Sequence, residues 1–211
     1  MSRQAKPEFV LTTIDMIRHG EPVGGRCYRG DQDDPLSPAG WQQMRQAVGE
    51  HHPWDVIVSS PLQRCDAFAR ELAERHGIPR VLEAGLREIS FGQWEGRSVE
   101  QLLQQDAAQL QRYWQDPVCH TPPEGEPLLE FEARISRAWQ SLLQAHRGQH
   151  LLVVGHAGSM RMILRQVLEM PLQNLFRLHI DYASISRICI EGEEGQALPR
   201  LMFHAGQLST D

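Results

Sequence analysis

The chain has 211 residues, of which 41% are hydrophobic and 23% are charged, and its formal net charge is -6. This is the composition of an ordinary globular protein with enough sequence for one sizeable core. The acidic balance, without a stripe of lysine and arginine, argues against nucleic acid and anionic membranes as partners, so any anion-binding charge is expected in a pocket.

The cysteines and the apolar runs indicate in which cellular compartment the protein is expected. The four cysteines are far apart and form no CxxC motif: Cys27, Cys65, Cys119 and Cys189. We therefore expect neither a disulfide framework nor a zinc site. Residues 1–8 lack the apolar core of a signal peptide, and no apolar run is long enough to span a bilayer. The expected location is a reducing cytoplasm.

The first predicted strand ends on an arginine and a histidine. Residues 14–21 read Ile-Asp-Met-Ile-Arg-His-Gly-Glu; Ile14 and Met16 alternate with Thr13 and Asp15, and the run stops at Gly20. This ending places Arg18 and His19 at the carboxyl edge of a sheet, where open α/β sheets bind their ligands. Imidazole is a nucleophile with a pKa near neutrality, and guanidinium is a permanent planar cation suited to phosphate oxygens.

The next segments alternate between helix and strand. A loop rich in glycine, aspartate and arginine, residues 21–36, precedes a helix that Ser37-Pro38 opens as N-cap and first helical residue. Residues 56–58 form a short apolar strand. Ser59-Ser60-Pro61 repeats the cap-plus-proline start, for a helix that ends at Gly77. The order strand, helix, strand, helix predicts parallel strands.

Arg64 lies in the first turn of that second helix. A cation at this position opposes the helix dipole, so a purely structural role would rarely select it. An anion bound at the helix start would remove the objection. A solvated arginine on an exposed face is the alternative.

The middle of the chain is less regular. Residues 81–82 read as a third strand, and residues 86–96 as an aperiodic loop that holds a shaped surface and not a core. Ser98 and Gln101 form a capping box for a bent, glutamine-rich helix, whose predicted apolar stripe is Val99, Leu102, Leu103, Leu110 and Trp114. A proline-rich link follows. We predict that residues 98–127 form a lid-like insertion in one domain spanning residues 1–211.

A second strand that ends on a histidine follows. A clean helical stripe over residues 131–143 precedes the continuous apolar run 151–154, which is typical of a central strand buried on both faces. Gly155-His156-Ala157-Gly158 follows this run, so His156, like His19, lies at the end of a strand and next to a glycine.

The chain then returns to a helix and closes with strands. The pattern predicts a further helix from Pro171 to about His179. Residues 184–190 and 201–204 read as two closing strands around an acidic turn, residues 191–196.

These motifs resemble, in order, those of the histidine phosphatase superfamily, which includes the cofactor-dependent phosphoglycerate mutases. The resemblance covers about residues 12–190 and rests on five segments: Arg18-His19-Gly20, residues 59–64, Arg87-Glu88 with the loop to Gly96, residues 122–126, and Gly155-His156-Ala157-Gly158. The short loop 21–30 is most similar to that of bacterial α-ribazole phosphatase-like members. It lacks the asparagine that many members carry after Arg-His-Gly.

The resemblance implies a fold and a catalytic set. The fold is α/β, a three-layer α/β/α sandwich with a mostly parallel sheet flanked by helices and a small helical lid. His19 would attack phosphorus and become phosphohistidine, while Arg18, Arg64 and a protonated His156 hold the phosphoryl oxygens. Glu88 would donate a proton to the leaving alcohol and then accept one from water.

The same resemblance implies where the substrate lies and what is not needed. Tyr28 and Arg29 stand at positions that contact the leaving group. Side chains supply the positive charge, so no metal and no cofactor is expected. Glu95 is a possible substitute for Glu88 as the acid, although support of the loop is its expected role. The other histidines are expected to face solvent or to be structural: His51, His52, His76, His120, His146, His150, His179 and His204.

The predicted function is metal-independent phosphomonoester hydrolysis through phosphohistidine. The preferred substrate is α-ribazole 5′-phosphate, which belongs to cobalamin nucleotide-loop assembly. A broad-specificity phosphatase, a mutase that uses the same residues, and a non-catalytic phospho-ligand binding module are the alternatives. The expected partner is a small-molecule phosphate ester, and the chain is a monomer or a homodimer.

Overall fold

A computed structural model describes residues 10–192 and 198–208. These ranges contain six strands: β1 (Val10–Arg18), β2 (Val56–Ser59), β3 (Arg80–Leu82), β4 (His150–Gly155), β5 (Ile185–Gly192) and β6 (Leu198–Gly206). They contain five α-helices: α1 (Pro38–Val48), α2 (Gln63–His76), α3 (Val99–Gln115), α4 (Leu128–Ala145) and α5 (Ala157–Val167). Three 3₁₀ helices span Ala84–Leu86, Gly92–Trp94 and Leu172–Arg177.

The strands form one sheet in the order β3-β2-β4-β1-β5-β6. The first four strands in this order run parallel, and β5 and β6 are antiparallel to their neighbours. β4 lies between β2 and β1, and its residues Leu151, Leu152, Val153 and Val154 are buried, as predicted for a central strand. Because β1 and β4 are parallel and paired up to Arg18 and Gly155, both strands end side by side.

The core divides into two layers, one on each face of the sheet. Alternate strand residues such as Ile17 and Val154 pack with α1 and α2, and their neighbours such as Ile14 and Val153 pack with α4 and α5. This is the period-two alternation of strand side chains. The predicted three-layer α/β/α arrangement with a mostly parallel sheet is confirmed.

The start of α1 agrees with the start predicted from the sequence, and the start of α2 does not. Ser37 caps α1, accepting a hydrogen bond from the Gly40 N–H at 3.0 Å. The predicted start of α2 at Ser60-Pro61 is wrong, because α2 begins at Gln63 and Leu62 provides no side-chain cap. The Ser60 hydroxyl instead lies 2.7 Å from the Nε2 atom of His156. α2 ends as predicted at Gly77, which has the left-handed φ of 66° that a C-terminal glycine supplies.

The predicted bend and capping box of α3 are confirmed, but three of the five residues of its predicted apolar stripe are not buried. The helix has non-helical backbone angles at Asp106, whose carboxylate accepts from the Gln109 N–H and so starts the second half. Because this kink interrupts the helical period, the buried face carries Leu102, Leu110 and Tyr113, packed with Trp94. Three predicted stripe residues are instead exposed: Val99, Leu103 and Trp114.

Two other differences concern segments next to the sheet. The loop 86–96 was predicted to hold no core, yet Leu86, Ile89 and Trp94 are buried. The segment after Pro171 is a 3₁₀ helix and not an α-helix; its two buried residues, Leu172 and Leu175, are three positions apart, which matches the 3₁₀ repeat.

The closing strands are present as β5 and β6. Residues 193–196 of the predicted acidic turn and the N-terminal residues 1–8 lie outside the described ranges. Among the helices in the described ranges, none has the length and hydropathy to cross a membrane.

Candidate active site

A cleft of about 190 Å³ opens at the carboxyl edge of β1 and β4. It brings together most of the residues predicted from the sequence, since its walls include Arg18, His19, Tyr28, Arg29, Arg64 and Glu88. His156 lies behind this wall, with its ring centroid 5.2 Å from that of His19. Four segments far apart in the chain therefore meet at one point.

His19 is held as a neutral nucleophile. Its backbone N–H donates to the Gly155 carbonyl at 2.9 Å, and its Nδ1 lies 2.7 Å from the Gly20 carbonyl. A carbonyl accepts only, so Nδ1 carries the proton and Nε2 keeps its lone pair. Burial, followed by the charges of Arg18 and Arg64, holds the pKa of His19 well below its usual value of 6.5.

The glycine after His19 has a steric role. A Cβ on Gly20 would lie 2.2 Å from the Gly40 carbonyl oxygen in the first turn of α1. The chain that follows β1 can therefore pack against α1 only when this position has no side chain. This contact sets the direction in which the chain leaves His19.

His156 is fully buried between β4 and α5. Its Nε2 lies 2.7 Å from the Ser60 Oγ and 3.6 Å from the Cys65 Sγ, and its backbone N–H donates to the Ser159 hydroxyl. Burial, then the charge of Arg64, holds the pKa of His156 well below its usual value. This environment favours the neutral imidazole before a substrate binds, because desolvation and nearby guanidinium groups disfavour the charged form. The protonated form expected during the reaction stays a prediction.

Arg18 and Arg64 each have a buried N–H donor without a partner in the described ranges. Arg18 donates to the Ile180 carbonyl at 2.7 Å, and Arg64 donates to the Gln32 and Gly30 carbonyls at 2.6 and 2.7 Å. The Nε–H groups of both arginines are buried without a hydrogen-bond partner in the described ranges. An unpaired buried donor costs about 1–3 kcal/mol.

Glu88 is positioned by the start of α5. Its Oε2 accepts from the Gly158 N–H at 3.0 Å, and its Oε1 accepts from the Ile89 N–H at 3.1 Å. A Cβ on Gly158 would lie 2.1 Å from Oε1, so the carboxylate can approach the helix only because residue 158 is glycine.

Arg134 of α4 holds the loop that carries Glu88. This guanidinium donates to the Gly85, Arg87 and Glu88 carbonyls and to both carboxylate oxygens of Glu126. These bonds fill the fork geometry of the guanidinium, which fixes both position and direction. Arg134 is therefore a positioning residue for Glu88, and the sequence reasoning missed it.

Tyr28 and Arg29 line the cleft but are used differently. Arg29 donates to the Asp34 carboxylate and to the Val23 and Gly25 carbonyls, so its guanidinium holds the loop after β1. The Tyr28 hydroxyl accepts from the indole N–H of Trp114 at 2.8 Å. Whether either residue contacts substrate stays a prediction.

Glu95 joins two loops. Its Oε1 accepts from the Asp31 and Phe91 N–H groups and from the Ser90 hydroxyl. These contacts give Glu95 the supporting role that the sequence favoured over that of a substitute acid.

Sequence reasoning missed three further side chains of the site: Ser60, Arg161 and Tyr182. The Tyr182 ring lies 4.1 Å from the Arg18 guanidinium carbon, and nothing local in the sequence marks it. Arg161 could have been found, because it follows the cleft residue Ala157 by four positions on α5 and so lies on the same helix face.

Charged side chains, and not a metal-ligand cluster, make up the site. The described ranges contain no group of three or more histidine, cysteine, aspartate or glutamate side chains that could hold a metal ion. The arrangement can bind an oxyanion between Arg18 and Arg64, attack it with His19 and exchange a proton through Glu88.

Comparison with known proteins places this geometry in context. The family model described as the histidine phosphatase superfamily (branch 1) matches residues 14–200. The chain is 31% identical over 205 residues to phosphoserine phosphatase 1 of Hydrogenobacter thermophilus, covering 93% of this chain and 96% of that protein. It is 30% identical over 180 residues to adenosylcobalamin/alpha-ribazole phosphatase of Salmonella typhimurium, covering 83% and 89%.

One solved structure and one longer relative complete the comparison. The native structure of a mycobacterial glucosyl-3-phosphoglycerate phosphatase superposes with a TM-score of 0.79 at 25% identity, covering 93% of this chain and 99% of that one. A bifunctional protein of Mycobacterium tuberculosis is 32% identical over 202 residues, and the chain spans 55% of its length.

Proposed function

The chain belongs to the histidine phosphatase superfamily and is a phosphomonoester hydrolase, and from this premise we propose that it acts through a phosphohistidine at His19 without a metal ion. One observation carries the proposal. His19 has a proton fixed on Nδ1 and a free lone pair on Nε2, in a cleft that also holds Arg18, Arg64 and Glu88.

In the first step Nε2 of His19 attacks phosphorus in line with the leaving oxygen. The N–P bond forms as the P–O bond to the leaving group breaks, and Glu88, in its protonated form, gives its proton to the departing alcohol. Arg18 and Arg64 neutralise the charge on the phosphoryl oxygens. The product is phosphohistidine with a free alcohol and an ionised Glu88.

In the second step water attacks the same phosphorus. Glu88 removes a proton from the water as the new P–O bond forms and the N–P bond breaks, which returns neutral His19 and inorganic phosphate. His156 contributes as a hydrogen-bond donor to the phosphoryl group. Entry of a phosphate dianion would favour its protonation, because a nearby negative charge raises the pKa of an imidazole.

Two substrate classes have support. α-Ribazole 5′-phosphate is supported by the loop 21–30, by the Salmonella relative, and by a second pocket of about 420 Å³ that shares Cys27 and Tyr28 with the cleft. Phosphorylated hydroxy acids are supported by the phosphoserine phosphatase relative and by the small volume of the cleft. In either case the partner is a small-molecule phosphate ester.

The test is phosphate release in EDTA from α-ribazole 5′-phosphate, O-phosphoserine, the phosphoglycerates and p-nitrophenyl phosphate. We expect turnover of at least one ester, and a loss of about 10³-fold or more in His19→Ala. The exposed His52 gives the control variant His52→Ala, which should keep the parent rate.

Three results would contradict the proposal. Turnover that stops in EDTA and returns with a divalent metal would overturn metal independence. Tight ester binding without turnover would indicate a binding module, and isomerisation of phosphoglycerates that outpaces phosphate release would indicate a mutase.

A further inference from the structure

Arg161 is a third guanidinium of the cleft that the chemistry described above does not use. It lines the same cavity as His19 and Glu88, and it extends from the first turns of α5. Because His156, Gly158 and Arg161 all belong to the start of α5, the helix that places the second histidine and the acid also places this cation.

The Nε–H of Arg161 is hydrogen-bonded, whereas its two terminal amino groups have no partner in the described ranges. Nε donates to the Leu178 carbonyl at 2.7 Å, and the guanidinium carbon lies 5.8 Å from the centre of the Phe176 ring. Within the described ranges, the two terminal amino groups have no hydrogen-bond or ion-pair partner, and neither is shut off from the cleft as the Nε–H groups of Arg18 and Arg64 are. These groups can donate up to four hydrogen bonds to a ligand.

Arg161 lines the cleft beside both the phosphate-binding arginines and Glu88. The main charges on His19 are those of Arg18, Arg64 and Arg29, and the charge of Arg161 acts on Arg18. Burial lowers the pKa of Arg161, and the charge of Glu88 opposes that shift. Glu88 accepts from the Gly158 N–H, and Gly158 lies three positions before Arg161 on the same face of α5. Because Glu88 serves the leaving oxygen, Arg161 is within reach of what is attached to that oxygen.

A mostly buried cation with open donors needs an anionic partner. Glu88 is near enough to attract it but forms no ion pair with it in the described ranges. Carboxylates match the planar fork of a guanidinium and bind it through paired hydrogen bonds. A neutral aromatic leaving group offers no such match.

We infer that Arg161 is a specificity-determining residue that binds a carboxylate on the leaving group, so that the substrate is a small phosphorylated acid. This inference rests on the proposed function and narrows it. The carboxylate lies close to the phosphorylated oxygen, because one cavity of about 190 Å³ holds both. α-Ribazole 5′-phosphate has no carboxylate and is disfavoured.

The test compares esters that differ in one carboxylate. The pairs are O-phosphoserine with O-phosphoethanolamine and 3-phosphoglycerate with glycerol 3-phosphate. The parent enzyme should have a kcat/KM at least about tenfold higher for the acid of one pair, as expected for one charge-assisted contact. Arg161→Met should remove most of that ratio, and Arg161→Lys, which keeps the cation, should retain part of it. The exposed Arg137 gives the matched control Arg137→Met, which should keep the parent ratio.

Each other outcome has a defined meaning. Equal losses on both members of a pair in Arg161→Met would overturn the inference, because they would indicate a contact to phosphate or to Glu88. A parent enzyme that prefers α-ribazole 5′-phosphate, or that does not distinguish the pairs, would also overturn it while leaving phosphatase activity intact. Failure of the parent enzyme on every ester, including p-nitrophenyl phosphate, would overturn the proposed function itself.

Discussion

Glu88 and Gly158 form the closest approach between the proposed acid and a helix. The carboxylate accepts the Gly158 N–H, and the missing side chain of Gly158 makes room for Oε1. The start of a helix carries partial positive charge, which favours a carboxylate there. One glycine thus supports the proton transfer without touching the substrate.

Gly158→Ala should therefore impair leaving-group protonation. A Cβ would meet Oε1 at 2.1 Å, so Glu88 must move. We expect kcat/KM to fall about 10- to 100-fold for an alkyl phosphate and less for p-nitrophenyl phosphate, whose leaving group needs little protonation. Steady-state kinetics on the two esters measures this difference.

A double-mutant cycle provides the control. In a Glu88→Gln background the same substitution should add little further loss, since the proton donor is already absent. Full parent activity of Gly158→Ala on the alkyl ester would show that Glu88 does not need this contact.

Residue types revealed most of the candidate site before the structure did. Arg18, His19 and His156 are visible because each follows a run of strand residues and adjoins a glycine. Ser60 was misread as a helix cap, because a serine before a proline has the same local pattern whether it caps a helix or bonds a buried imidazole. A neutral His156 could not be read from the sequence, since its burial comes from long-range packing.

At the scale of elements, the loop of Glu88 is the least regular part of the site and depends on α4. Arg134 alone donates to three carbonyls of this loop and to Glu126. The sequence predicted α4 well from its apolar stripe but gave no sign of this contact, because it joins residues 46 or more positions apart. Kinks such as that at Asp106 in α3 are similarly set by a local cap that competes with the helical repeat.

Arg134→Lys tests this dependence. A lysine keeps the charge but cannot reach the three carbonyls and the carboxylate together. We expect kcat to fall about tenfold or more with a smaller change in KM, because Arg18 and Arg64 still bind phosphate. Kinetics on an alkyl phosphate, whose leaving group needs the proton, measures the split, with the exposed Arg137→Lys as control. A rise in KM with unchanged kcat would indicate a role in substrate binding instead.

For the whole molecule, the notable feature is a positive cleft in an acidic protein. The chain has a formal net charge of -6, yet four arginines line the cavity: Arg18, Arg29, Arg64 and Arg161. Because the chain as a whole is acidic, an anionic ligand requires positive charge to be concentrated locally in this way. The two histidines between these cations are buried and neutral, which links the site to the stability of the fold.

The free energy of unfolding should fall as the pH drops below about 6.5. His19 and His156 have folded-state pKa values well below 6.5, so at mildly acidic pH they take up protons only in the unfolded chain. Each histidine changes the free energy of unfolding by up to about 1.4 kcal/mol per pH unit between its folded-state pKa and 6.5. Above pH 6.5 neither histidine contributes to this dependence. Urea denaturation from pH 5 to 7.5 measures the slope.

Two variants test whether His19 and His156 cause this pH dependence of the unfolding free energy. The double variant His19→Asn/His156→Asn should have a much smaller slope, and the variant of an exposed histidine, His52→Asn, should keep it. An unchanged slope in the double variant would mean that the site histidines are protonated in the folded protein.

The most direct measurement is to trap the phosphoenzyme. Rapid quenching of the Glu88→Gln variant with labelled p-nitrophenyl phosphate in EDTA should give about one acid-labile, base-stable phosphoryl group per chain, because the activated leaving group needs no acid and hydrolysis of the intermediate lacks its base. Peptide mapping should locate the label on His19, and His19→Ala should carry none. Turnover of the ester without such a label, or a label on any other residue, would contradict phosphohistidine catalysis at His19.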